Sequence, residues 1–118
     1  CRYEAEFRLH CLAENVEFAG ARAVFAGRYG ADLEVAVLTP AEPAFSTTRV
    51  LDTCSVEFRQ APGAPILTVL TPFEHGGRPE TECSFRDGML PVRREGQTRQ
   101  VSFAPTSTPQ VCTFTCVK

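Results

Sequence analysis

The first eleven residues, Cys-Arg-Tyr-Glu-Ala-Glu-Phe-Arg-Leu-His-Cys, alternate without a break. Cys1, Tyr3, Ala5, Phe7, Leu9 and Cys11 fall on one side, and Arg2, Glu4, Glu6, Arg8 and His10 on the other. A period of two over this length is that of a half-buried strand. Further runs rich in Val, Phe and Thr, residue types that suit a pleated surface, follow at 21–29, 33–38, 53–59, 65–70, 83–87, 99–104 and 111–117. Turn signals separate them: Asp87-Gly88, Glu95-Gly96, and proline-bearing stretches at 39–45, 60–65, 72–79 and 104–109.

Nine prolines spread this evenly leave no room for a long helix. The most helix-friendly run, residues 13–27, is broken by Gly20 and Gly27 and admits a short helix at most. Short strands with turns at this spacing predict an all-β chain, a single-domain antiparallel β-sandwich or small β-barrel over residues 1–118. Residues 35–43 (VAVLTPAEP) echo 67–75 (LTVLTPFEH), and each leads, after a loop, to a Cys-Ser strand. Two copies do not make a repeat architecture, so the echo reads as the restricted grammar of β proteins.

Composition narrows this picture without changing it. A chain of 118 residues with 43% hydrophobic residues can bury one core, which sets disorder aside. The formal net charge of −2 argues against nucleic acid as a partner. No apolar run approaches the ~20 residues of a transmembrane segment. The charge is uneven: residues 1–85 hold 7 Arg against 12 acids, and residues 86–118 hold five bases against two acids.

Six cysteines, at positions 1, 11, 54, 83, 112 and 116, suit three disulfides in an oxidising, extracellular setting. A chain that starts at Cys1 is also what a processed, lipidated bacterial protein looks like, a minor alternative to plain secretion. In an extended strand the Cα atoms of Cys112 and Cys116 stand ~13 Å apart. That spacing forbids a mutual disulfide and a shared zinc, so no metal and no cofactor is expected there. By the same rule Cys1 and Cys11 must find partners elsewhere, and at least one bridge should tie the N-terminal strand to the C-terminal one. No Asn-x-Ser/Thr sequon occurs, because Asn15 is followed by Val and Glu.

Three groups of side chains carry candidate chemistry. Glu4 and Glu6 are two apart on a strand, a separation open to paired carboxylates, but the flanking arginines make them a solvated charge ladder. Glu74, His75 and Arg78 are the catalytic candidates: a base, an acid and an anion clamp beside Gly76-Gly77. Arg86, Arg93, Arg94 and Arg99 surround two tight turns and are the binding candidates, suited to carboxylate, sulfate or phosphate groups.

The expected function is a small secreted, non-enzymatic protein that binds another protein or an acidic glycan through loops and the arginine-bearing hairpin. In size, cysteine count and composition it is similar to the cysteine-stapled proteins that pathogens secrete toward a host; an extracellular recognition module fits equally. No motif carries that likeness. The alternatives are a small hydrolase such as a ribonuclease using Glu74 and His75, and a small-molecule or lipid carrier whose nine phenylalanines line a cavity.

Overall fold

A change of parity along the first strand organises the larger part of the molecule. Up to residue 13 the inward side chains are odd-numbered (Phe7, Leu9, Cys11, Ala13); beyond it they are even, with Val16 against the core and the half-exposed Phe18 against Phe45. The cause is a β-bulge between Ala13 and Asn15. One extra residue there bends the strand and flips its alternation, so both halves keep facing the same core.

The computed structural model describes residues 4–103 and the backbone of residues 112–117. These residues are strand and loop throughout, with antiparallel pairing at every ladder. The chain forms two compact units, Cys1–Arg78 and Pro79–Lys118. No helix is long and apolar enough to cross a membrane among the described residues.

The first unit is a six-stranded sheet: β1 (Ala5–Ala19), β2 (Arg22–Gly27), β3 (Ala31–Thr39), β4 (Ser46–Val50), β5 (Thr53–Gln60) and β6 (Leu67–Glu74). Their order is β4-β5-β1-β2-β3-β6. The N-terminal half of β1 pairs with β5 and the C-terminal half with β2, so the sheet folds over at the bulge. Phe58 and Val56 of β5 thereby join Phe25, Val35 and Val37 of β2 and β3 in one buried cluster, in the manner of a sandwich corner. Four phenylalanines lace the halves together: Phe7 stacks on Phe58 at 5.0 Å, Phe58 meets Phe45 edge-on at 5.8 Å, and Phe45 meets Phe18 at 5.1 Å.

Residues 13–27 form the end of β1 and all of β2, not a short helix. Val16, Ala23 and Phe25 bury as a strand would, and Gly20 makes the turn between the two strands at φ 58°. At the end of β2, an added Cβ on Gly27 would lie 1.7 Å from the Ala31 carbonyl oxygen, so only glycine fits.

The second unit is a four-stranded sheet of β7 (Thr81–Cys83), β8 (Met89–Arg94), β9 (Gln97–Phe103) and β10 (Cys112–Val117), ordered β10-β9-β8-β7. Asp87-Gly88 and Glu95-Gly96 form its tight turns, with all four residues at φ between 51° and 77°, the conformation that suits two-residue hairpins. Pro91 sits inside β8, a strand with neighbours on both sides. β7 ends at the Cys83–Val92 pair, so the missing N–H of Pro91 falls where no strand asks for it.

Of the echoing segments, the first halves are the neighbours β3 and β6. They run antiparallel, so like positions do not face each other: Thr39 lies opposite Leu67.

Candidate functional site

Glu4 and Glu6 form part of the expected charge ladder on the outer face of β1 and β5. Arg8 pairs with Glu6 at 2.7 Å and with Glu57 at 3.1 Å, and Arg59 pairs with Glu4 at 3.6 Å. Exposed pairs of this kind contribute little, ~0–1 kcal/mol each.

Of the catalytic candidates, the fold brings His75 and Arg78 to the outer face of β3 and leaves Glu74 out. Phe73 lies opposite Asp32 in the ladder, so Glu74 belongs to the other face of β6. The acids that His75 and Arg78 meet are Asp32 and Glu34, 8% and 3% exposed. Asp32 accepts the Gly27 N–H through Oδ1 at 3.0 Å and meets His75 Nδ1 through Oδ2 at 3.0 Å. The His75 backbone N–H bonds the Gly30 carbonyl at 2.9 Å, which fixes the base of the ring. Glu34 accepts Arg22 at 2.8 Å and both Nε (2.8 Å) and a terminal nitrogen of Arg78.

This arrangement is a charge-balanced tile. Two guanidiniums neutralise one buried carboxylate, as a buried charge requires. The Asp32–His75 pair orients an imidazole and leaves its Nε2 facing outward, which is the geometry of a positioned base. Yet the His75 side chain is 72% exposed. Catalysis by such a pair gains from excluding water, and this one stands in it.

The register divides the four arginines that are the binding candidates between two faces. Arg93 lies opposite Glu82, and Arg86 opposite Met89, on one face of the second unit's sheet. Arg94 and Arg99 share the other face with Leu90, Val92 and Val101. On the first face Arg93 joins Glu80, Glu82, Glu95 and Gly96 in lining an open cavity of about 140 Å³. Three carboxylates against one guanidinium make that cavity acidic. Arg94 and Arg99 stand diagonally across β8 and β9, about 7–8 Å apart, and can grip one anionic group together.

Sequence reasoning missed the most exposed apolar surface. Leu51 and Tyr29 are 88% and 86% exposed, and Val50 and Leu12 are more than half exposed. The β4–β5 turn carries Val50 and Leu51; Leu12 and Val50 both face Thr53 across their ladders. An Arg28–Asp52 ion pair ties this turn to the β2–β3 turn that bears Tyr29. Arg49 pins the same end to the β1 bulge by donating to the Glu14 carbonyl at 2.7 Å. Beside it β4 is an edge strand whose five residues are all exposed.

Leu51 holds φ 54°, a left-handed conformation that glycine or asparagine adopts easily and that costs a branched side chain ~1–2 kcal/mol. The Leu51 side chain, 88% exposed, makes no buried contact that would offset that cost.

Cys11 and Cys54 are direct register partners on β1 and β5. Both carry free thiols, Cys54 buried and Cys11 half-buried. Burial, and next the neighbouring Cys54, push the Cys11 thiol above its ordinary range. In the second unit Cys83, Val92, Arg99 and Cys116 form one row across the four strands. Three strand spacings separate the two cysteines of that row, ~14 Å, so the two do not pair with each other across the sheet. Cys1, and the side chains of Cys112 and Cys116, lie outside what the structure describes.

Comparison with protein-family models, with curated proteins and with solved structures found no significant match.

Proposed function

We propose that the chain is an extracellular, disulfide-bearing protein that binds another protein through the apolar end of its first unit. The observation that carries this reading is Leu51, an almost fully exposed leucine held in a conformation that disfavours it. Backbone strain of this kind clusters at sites that meet a partner, and Tyr29 beside it is of the type that anchors interfaces. Val50, Leu12 and Tyr29 widen the anchor, and the open edge of β4 offers unpaired N–H and C=O groups to an extended segment of the partner. The six cysteines support the extracellular setting and a role outside the producing cell, whether toward a host or as a recognition module.

The test immobilises the oxidised chain, captures its partner from extracellular fluid, and compares Leu51→Asn combined with Tyr29→Ser. Binding should weaken by at least about tenfold, roughly 1.4 kcal/mol, and should persist as salt is raised. Unchanged binding by the double variant would sink the apolar reading.

A second reading rests on Arg94 and Arg99, which share a face and suit an acidic glycan. It predicts the opposite salt behaviour: binding fades as ionic strength rises and is lost in Arg94→Glu with Arg99→Glu. The hydrolase reading now uses Asp32 with His75 in place of Glu74. Turnover that disappears in His75→Ala while the melting profile stays the same would establish it over both binding readings.

A further inference from the structure

We propose that Cys11 and Cys54 form a reversible cross-strand disulfide that clamps the base of the apolar end. The two residues are opposed in an unbroken stretch of the β1–β5 ladder. The Ala13 N–H bonds the Asp52 carbonyl at 3.1 Å, which marks Ala13 and Asp52 as a hydrogen-bonded pair. Such pairs alternate along an antiparallel ladder, so Cys11 and Cys54, two steps back, are another. Their Cα atoms therefore lie ~5.5 Å apart, inside the window a disulfide needs.

The fit is close but not relaxed. Opposed Cβ atoms stand about 4.5–5.5 Å apart and are wider at hydrogen-bonded positions, whereas a disulfide wants ~3.8 Å. Closing the bond draws the strands together and takes the Cys54 thiol from the Ala13 carbonyl, to which it donates at 3.3 Å. A bridge made under strain is easier to reduce than one that fits its strands.

The chemistry is thiol–disulfide exchange with an external disulfide of the glutathione class. Half-buried Cys11 is the accessible sulfur, so its thiolate attacks one sulfur of the external disulfide and expels a thiol. Cys54 then attacks the Cys11 sulfur of the mixed disulfide and expels the second thiol. Two protein thiols lose two electrons and two protons, and the external disulfide becomes two thiols.

The position has a consequence for recognition, which rests on the binding reading above. Cys11 precedes Leu12, and Cys54 stands two residues beyond Asp52 of the turn that carries Leu51. A closed bridge holds β1 and β5 together beneath the exposed residues.

The bond itself is tested without any partner. The full chain is incubated with excess glutathione disulfide, alkylated and digested with trypsin. The expected product is one linked species joining residues 9–22 to residues 50–59, which carry Cys11 and Cys54. The oxidised chain should melt roughly 5–15 °C above the reduced one, and excess glutathione should reopen the link. Separate alkylation of Cys11 and Cys54, or a link from either to another cysteine, overturns the pairing. A link that resists excess glutathione overturns its reversibility. In Cys54→Val, which keeps an apolar core side chain, Cys11 should become alkylatable; a variant whose Cys11 stays blocked also counts against the pairing. If the link forms and binding to the captured partner is the same in both redox states, the clamp has no part in recognition.

Discussion

In residues 1–78 the buried hydrophobic side chains come from β1, β2, β3 and β5, and phenylalanines join the two halves of the folded sheet. In residues 79–118 Leu90 is the one buried hydrophobic residue among those described, with Thr81 the buried polar one. The second unit nonetheless holds three of the six cysteines. A segment of about 40 residues sits at the size where a hydrophobic core stops sufficing and cross-links take over. The first unit is held by burial; the second has the composition of a segment held by bonds.

The largest effect should come from the core of the first unit. Phe25 is among its largest fully buried side chains, and Phe25→Ala should cost ~3–5 kcal/mol. Amide exchange read residue by residue should rise across β1, β2, β3 and β5 and stay unchanged in β7, β8 and β9. Equal loss of protection in both units would break the comparison, because it would mean one cooperative fold.

Next in size is reduction. Each bridge lost from a small secreted domain typically costs 2–5 kcal/mol. Full reduction should therefore accelerate exchange in β8 and β9 more than exchange in β2 and β3. If full reduction opens β2 and β3 as much as β8 and β9, burial is not what holds the first unit.

The same contrast explains what the sequence could disclose. Residues 5–11 show one face by alternation because a half-buried strand leaves a polar and an apolar side. Both Gly-bearing turns of the second unit were legible, since Asp-Gly and Glu-Gly offer the positive φ a two-residue hairpin needs. β4 was not: Ser46, Thr47, Thr48, Arg49 and Val50 are all exposed, so burial imposes no pattern on them. Pro91 concealed β8 for a different reason, because only the short length of β7 makes it harmless. Asp32 and Glu34 escaped notice as sites, since their partners lie in β2 and 43 and 44 residues further along the chain. The arginines were found by proximity in sequence, but alternation separates Arg93 from Arg94. Leu51 carries no signal at all, because an exposed leucine and a buried one are the same letter.

The smallest expected effect is the most specific. Leu51 and Asp87 hold nearly the same backbone, φ 54° and 52°, each in a tight turn of its own unit. Asp87 is a residue suited to the left-handed region; Leu51, 88% exposed, is not, and neither is Glu95 at φ 51°. If the first unit keeps that strain for the sake of a contact, relieving it should help the fold. Leu51→Asn should raise stability by ~0.5–1 kcal/mol, because asparagine tolerates the conformation and no buried contact is lost. Asp87→Leu should lower stability by ~1–2 kcal/mol for the converse reason. Chemical denaturation of the two variants measures both changes. A Leu51→Asn chain less stable than wild type would show that the leucine is held by packing at the β4–β5 turn, and the case for an anchor would lose its foundation. A more stable variant that no longer captures the partner would separate the turn's role in recognition from any role in folding.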